Sequence, residues 1–270
     1  MSEHSQPDPA IEQLWRTVLT TGEFTPERRM REFLRHLPRD PRCKFCNAPF
    51  KGFGATLVQL VFNKRPSQYS TRLCTVCENF AREHLGGAEV EMAMLFADVR
   101  GSTPLAERMR ASEFSQLINR FYQLAAQVLI QSDALIEKLI GDSVTGLYFP
   151  GFVGPDYVQQ AIEAAHDLLR VTGHADLKGP WIPVGVGVHS GIAFAGAVGS
   201  KDGVTEFTAL GDAVNLAARL ASHAGAGEII VSEDACTAAR LDTRGLEQRQ
   251  LSLKGRSEPT SVRVIRVAPR

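Results

Sequence analysis

The stretch MAMLFADVRGSTPLAERM, residues 92–109, carries an apolar run that stops at a single carboxylate, Asp98, and breaks into Val99-Arg100-Gly101-Ser102-Thr103 before Pro104. Met92, Met94 and Phe96 alternate with Ala93, Leu95 and Ala97, apolar at both phases of a two-residue period, so the run reads as a strand buried on both faces. Thr103 and Pro104 suit an N-cap and a first helical residue. The expected path is strand, glycine-containing turn, helix. Such a turn offers free amides at a positive helix end, which suits phosphate, and the carboxylate beside it suits a nucleotide's metal. Asp also ends strands with no ligand at all, so the reading needs a second acid.

That acid is Asp142. Downstream, LIEKLIGDSVTGLYF (residues 135–149) is two β-rich runs joined at Gly141-Asp142, the pattern of a hairpin. Between the two acids, residues 113–130 place Phe114, Leu117, Ile118, Phe121, Leu124, Ala125 and Val128 on one helical face. A second helix is predicted over residues 157–172, then strands in IPVGVGVHSG (182–191) and TEFTALG (205–211), then a helix in DAVNLAARLASHAG (212–225). The order βαββαβ is that of the ferredoxin-like split βαβ arrangement, an α+β fold. In it the first strand and the hairpin are neighbours, so Asp98 and Asp142 can converge. Two carboxylates at one site repel each other, and a bound divalent cation is the usual reason to keep them together.

The chain has 270 residues, 44% of them hydrophobic, and zero formal net charge, enough for a real core in one large or two modest domains. Residues 1–84 hold 13 Lys/Arg against 9 Asp/Glu, and the remainder is correspondingly acidic. No apolar run is long enough for a membrane span, and MSEHSQPDPA lacks the features of a signal peptide, so a cytoplasmic protein is expected. Three segments are expected: an N-terminal helical appendage (1–40), a CxxC…CxxC module (41–84) and a larger domain (88–270). Met30, Phe33, Leu34 and Leu37 suggest a short helix before the Pro38–Pro41 break.

The blocks LFADVRGST, KLIGDSVTGLYF, VGVGVHSG, FTALGDAVNLAARL and LKGRSEP resemble, in order, the signature blocks of class III nucleotidyl cyclases. The resemblance runs from about residue 88 to the C-terminus. It implies a head-to-tail homodimer that converts a nucleoside triphosphate to a 3′,5′-cyclic nucleotide and pyrophosphate with two Mg²⁺ or Mn²⁺ ions. By resemblance Asp98 and Asp142 are the metal ligands, and the amides of Val99, Arg100, Gly101, Ser102 and Thr103 cradle the triphosphate. Asn215 and Arg219 match the pair that positions the ribose and stabilises the transition state, and their i, i+4 spacing puts both on one helix face. Lys254 resembles a phosphate-contacting lysine. Lys138 and Thr208 match an adenine-selecting pair, since a lysine donor and a hydroxyl acceptor complement adenine N1 and its 6-amine. ATP is the expected substrate. Val184 stands where the family often has a basic residue, and His189, inside a strand pattern, reads as a packed histidine rather than a base.

Cys43-Lys44-Phe45-Cys46 and Cys74-Thr75-Val76-Cys77, separated by 27 residues, form a strong tetrathiolate signal, resembling a zinc knuckle followed by a helix start. Zinc is the expected ion; an iron–sulfur cluster, a redox dithiol or disulfides are the alternatives. Cys236 reads as a buried apolar residue. The competing function is a nucleic-acid- or partner-binding zinc module on a weakly active or inactive cyclase-like domain. From Phe24 to Arg72 there are 11 Lys/Arg against 3 Asp/Glu, with Phe45, Phe50, Phe53, Phe62 and Tyr69 among them. The regulator of the module is not legible in the sequence.

Overall fold

The computed structural model describes residues 8–22, 29–31, 33–34, 36–37, 41–43, 45–67, 73–200, 205–253 and 258–267, without the side chain of Lys138. They form two compact units: residues 1–90, 150–152 and 193–210 in the first, and residues 91–149, 153–192 and 211–270 in the second.

In the second unit the 92–97 run lies in β1 (Gly86–Val99), a strand that enters from the first unit. After it come α4 (Ser102–Arg108), α5 (Ala111–Gln131), β2 (Leu135–Ile140) and β3 (Ser143–Tyr148). Next are the one-turn α6 (Pro150–Val153), whose residues 150–152 belong to the first unit, α7 (Tyr157–Val171) and β4 (Val184–Gly199), which belongs to the first unit from Ala193 on. The sheet order begins β2-β3-β1-β4, the arrangement of a split βαβ fold, as the element order predicts. Beyond β4 the order continues through β6 (Glu228–Ser232), β8 (Thr260–Arg266) and β7 (Glu247–Leu251).

Period-two patterning divides the apolar residues between the two faces of this sheet. Leu95, Ala97, Val184, Val186, Val188, Ile229 and Val231 face one way, against Phe121, Ala125 and Leu129 of α5 and Ala161, Ala165 and Leu168 of α7. Ile230, Val262 and Val264 face the other way, against Leu216 and Leu220 of α8 (Asp212–His223). In VGVGV the valines fill the first core and the glycines admit α8. A Cβ on Gly187 would stand 2.3 Å from the Ala221 amide nitrogen, and one on Gly185 would stand 2.6 Å from the Ala224 carbonyl oxygen. Close backbone approach of this kind requires glycine, and it seats the helix that carries Asn215 and Arg219.

In the first unit α1 (Pro9–Thr20) starts at Asp8, whose side chain accepts from the Ala10 amide, with Pro9 as first helical residue. It buries Trp15, Val18 and Leu19, and the Trp15 indole donates to the His84 carbonyl at 2.9 Å. Residues 29–31, 33 and 34 are helical, where a short helix is expected. The spacer between the cysteine pairs holds a helix the sequence reading does not anticipate, α2 (Gly52–Phe62). It is apolar on nearly every side, which leaves no periodicity to read. Then come α3 (Thr75–Glu83) and, after the long strands, β5 (Thr205–Leu210), which pairs antiparallel with the end of β4. Among the described residues no helix is long and apolar enough to cross a membrane.

Candidate functional site

Asp98 is opposite Ser143 in the β1–β3 ladder, and the Val99 amide donates to the Asp142 carbonyl at 3.0 Å. The β2–β3 turn is tied down further. The Tyr122 hydroxyl of α5 donates to the Gly141 carbonyl at 2.8 Å, and Ser143 Oγ donates to the Ile140 carbonyl at 3.1 Å. Gly141 takes φ +63°, a conformation that favours glycine. Both carboxylates are therefore carried on fixed backbone at one end of neighbouring strands, and both are half-buried. The donor set, two carboxylates open to solvent on one side, suits a hard divalent cation.

Arg100 reaches back to Asp98. Its guanidinium pairs with the Asp98 carboxylate, its Nε donates to the Asp98 carbonyl, and its Nη1 donates to the Ser222 carbonyl in the last turn of α8 at 3.0 Å. A cation is thus drawn to Asp98 within the chain itself. Burial lowers the Arg100 pKa, and the charge of Asp142 opposes that shift. The sequence reading assigned Arg100 through its amide; this side-chain bridge is visible only in three dimensions.

The structure corrects two expectations about the turn. Helix α4 begins at Ser102 with Gly101 at its cap in the left-handed region, φ +67°, two residues ahead of the expected Thr103–Pro104 start. The amides of Val99 and Arg100 are already used, by the carbonyls of Asp142 and Pro183. They are not available to a triphosphate, and the candidate cradle narrows to Gly101, Ser102 and Thr103.

Asn215 and Arg219 lie one turn apart on α8, Asn215 exposed and Arg219 half-buried. Arg219 has no carboxylate partner among the described residues. Thr208, 7% exposed, sits in β5 opposite Gly196. Lys138 lies in β2 beside a register shift, with its side chain outside the described residues, as is the whole of Lys254. His189 is buried and shares a 2.8 Å hydrogen bond with Ser232 Oγ, which also caps α9 (Glu233–Ala238), so it serves packing. Cys236 is buried in α9, and burial pushes its thiol up to about 11.

The first unit contains a second centre. Cys43 and residues 45–48 make a tight knuckle: the Cys43 amide donates to the Ala48 carbonyl at 2.8 Å and the Asn47 amide to the Cys43 carbonyl at 2.9 Å. Asn47 takes φ +60°. Cys74 is the N-cap of α3 and Cys77 lies in its first turn. All four sulfurs are buried and lie within 4.8 Å of one another, Cys46 and Cys74 at 3.8 Å. A tetrahedral ion with metal–sulfur bonds of about 2.3 Å sets its sulfurs about 3.8 Å apart. A disulfide needs about 2.05 Å, and all five cysteines are free. Contacts with Cys43, Cys46 and Cys74, together with burial, push the Cys77 thiol well up. A central cation is what would let all four ionise. Of the aromatic residues offered for nucleic acid, Phe45 is buried against Phe152 and Phe207, whereas Phe53 is 84% exposed. Tyr69 lies outside the described residues.

Comparison with known proteins agrees with this geometry. An uncharacterized protein of Mycobacterium tuberculosis is 30% identical over 188 residues, 68% of this chain and 34% of its own length. An adenylate cyclase of Anabaena cylindrica is 32% identical over 135 residues, 48% of this chain and 26% of its own length. The chain thus spans about a third or less of the length of these relatives. Among solved structures, the guanylyl cyclase Cya2 superposes with a TM-score of 0.59 at 25% identity, over 67% of this chain and 93% of that one. The adenylyl cyclase CyaB from P. aeruginosa superposes at 0.57 and 23% identity, over 67% and 96%. The family model described as the adenylate and guanylate cyclase catalytic domain matches residues 88–265, a span that opens in β1 and closes in β8. With sheet order and this match in agreement, the chain belongs to the adenylate and guanylate cyclase catalytic domain family, the class III nucleotidyl cyclases.

Proposed function

We propose that the chain is an adenylate cyclase, converting ATP to 3′,5′-cyclic AMP and pyrophosphate as a homodimer, with a zinc ion in the tetracysteine centre. The observation that carries the reading is the backbone adjacency of Asp98, at the end of β1, and Asp142, in the β2–β3 turn, with the Arg100 guanidinium drawn to Asp98.

In the reaction the ribose 3′-oxygen attacks the α-phosphorus, its proton is lost, and the bond to the β-phosphate breaks to release pyrophosphate. Two Mg²⁺ or Mn²⁺ ions, when bound, acidify the 3′-hydroxyl and neutralise phosphate charge. Asp98 and Asp142 would hold them. Gly101, Ser102 and Thr103 would donate amides to the phosphates at the start of α4. Asn215 would orient the ribose, and Arg219, unpaired with any carboxylate among the described residues, would stabilise charge on the transferring phosphoryl group. Lys138 and Thr208 would read adenine, a donor and an acceptor against its N1 and amine, while guanine would set its N1–H against Lys138. Lys254 is proposed as a further phosphate contact. Relatives of both base specificities are structurally close, so the choice of ATP rests on Lys138 and Thr208.

Zinc is supported by the sulfur spacing: a group spanning 4.8 Å fits one ion, and a multi-iron cluster would spread it. The deciding experiment incubates the purified protein with ATP, GTP, CTP and UTP, in Mg²⁺ and in Mn²⁺, and identifies products by mass. Cyclic AMP as the main product supports the proposal; cyclic GMP as the main product, or no cyclic nucleotide, overturns it.

A further inference from the structure

We propose that the tetracysteine centre positions strand β5 through an aromatic bridge, so that Thr208 is set for substrate only while the centre holds its ion. The proposal rests on the cyclase reading of Thr208 and adds a regulatory input to it. Phe45, between Cys43 and Cys46, meets Phe207 edge to face with centroids 5.8 Å apart, and meets Phe152 at 5.4 Å. Phe80, three residues beyond Cys77 on α3, meets Trp15 at 5.3 Å, and Trp15 meets Phe207 at 5.5 Å. Each Cys-x-x-Cys pair thus reaches Phe207 through one or two rings. Phe207 is 1% exposed, and the next residue is Thr208.

Two physical features make the bridge conditional. Edge-to-face ring contacts depend on centroid distance and tilt, so they report small displacements of the segments that carry them. The knuckle of Cys43 and residues 45–48 is a short loop, and such metal sites lose their order when the ion leaves. The sulfurs join that knuckle to the first turn of α3. Strand β5, in turn, pairs with β4, and it packs against α3, the helix that carries Cys77, as well as against the ring cluster. Without the ion Phe45 and the helix α3 that carries Phe80 lose their common anchor, and the packing of rings and helix on β5 loosens. Phe45, Phe80 and Trp15 are positioning residues in this scheme.

The test uses the full chain, zinc-loaded and then stripped by chelator under anaerobic reducing conditions, with zinc content measured. Hydrogen exchange should quicken about tenfold or more over residues 205–210 on stripping and stay unchanged over residues 228–232. In the same samples the KM for ATP should rise about fivefold or more and the ATP-over-GTP ratio should fall, a shift on the scale of ordinary coupling between sites. Phe45→Leu, which keeps all four cysteines, should retain zinc and move KM and the base ratio in the same direction; Phe80→Leu serves if that variant does not fold. Unchanged exchange over residues 205–210 after verified zinc loss overturns the proposal. Faster exchange over both segments also overturns it, because the ion would then support the whole fold. If the zinc-loaded protein forms no cyclic nucleotide, the cyclase reading fails, and the exchange comparison still decides the coupling.

Discussion

The Val99 amide donates to the Asp142 carbonyl at 3.0 Å, so the residue that follows one acid grips the backbone of the other. The relative placement of the two backbones that carry the acids is therefore a property of the sheet and its turn. Replacing either acid should leave that bond in place. Asp98→Ala and Asp142→Ala should each lower cyclic-nucleotide formation by about a hundredfold or more while the thermal melting curve stays near wild type. Retained metal-dependent turnover would remove both residues from the metal site.

Base choice is tested by the pair proposed to read it. Lys138→Glu combined with Thr208→Cys should raise the KM for ATP about tenfold or more and admit GTP. Steady-state kinetics with both nucleotides measure it. Unaltered ATP kinetics would end the adenine assignment.

Zinc should be found at about one ion per chain by elemental analysis. Cys43→Ser and Cys74→Ser should lose it, and limited proteolysis should cut first within residues 41–84. Visible iron–sulfur charge-transfer bands would replace zinc by a cluster.

Glu228 provides a pH prediction in the second unit. It accepts from Arg249 at 3.0 and 3.1 Å, from Arg266 at 2.9 Å and from the Gly225 amide at 2.9 Å. The Arg249 hydrogen bonds lower its pKa to about 2, against the burial that opposes them. A carboxylate lowered from the usual 4.5 stabilises the fold fully above that value, and the contribution is lost as pH falls from there through about 2. With Arg266 largely exposed, about 1–3 kcal/mol is expected. Glu228→Gln should lose about that much stability at pH 7 and show a flatter acid limb in chemical denaturation between pH 4.5 and 2. An acid limb like that of wild type would deny Glu228 the role.

The proposed dimer makes a complementation prediction. Each site would take Asp98 and Asp142 from one chain and Lys138, Thr208, Asn215 and Arg219 from the other. Asp98→Ala and Arg219→Ala homodimers should both be inactive, and mixing them with time for exchange should restore activity. Random pairing makes about half of the dimers mixed, each with one intact site of two, so recovery should approach about a quarter of wild type. Exchange without recovery would place all these residues in one chain's own site.

Much of the catalytic domain is legible in the sequence, for a physical reason that can be named at each element. The helices at 111–131, 157–171 and 212–223 show clean one-sided apolar faces because each packs against a sheet, and their bounds fall within two residues of those read. Gly141-Asp142 marks the hairpin because a two-residue turn needs such residues. The cysteine pairs are legible because a tetrathiolate site demands that spacing. Helix α2 is not legible, since GFGATLVQLVF has no polar face to give it a period. The amide use of Val99 and Arg100 is not legible either, because Asp142 and Pro183 meet them only after folding.

Local pattern by itself therefore determined the strand that ends at Asp98, the hairpin that presents Asp142, the helix face of Asn215 and Arg219, and the four thiolates. Each follows from short-range periodicity, turn chemistry or ligand spacing. Only the tertiary structure decided that Arg100 bridges Asp98 and Ser222, and that Phe45 and Trp15 converge on Phe207. Ser222 lies far along the chain from Arg100, as Phe207 does from Phe45 and Trp15, and nothing local in a sequence encodes which distant groups a sheet and its helices will bring face to face.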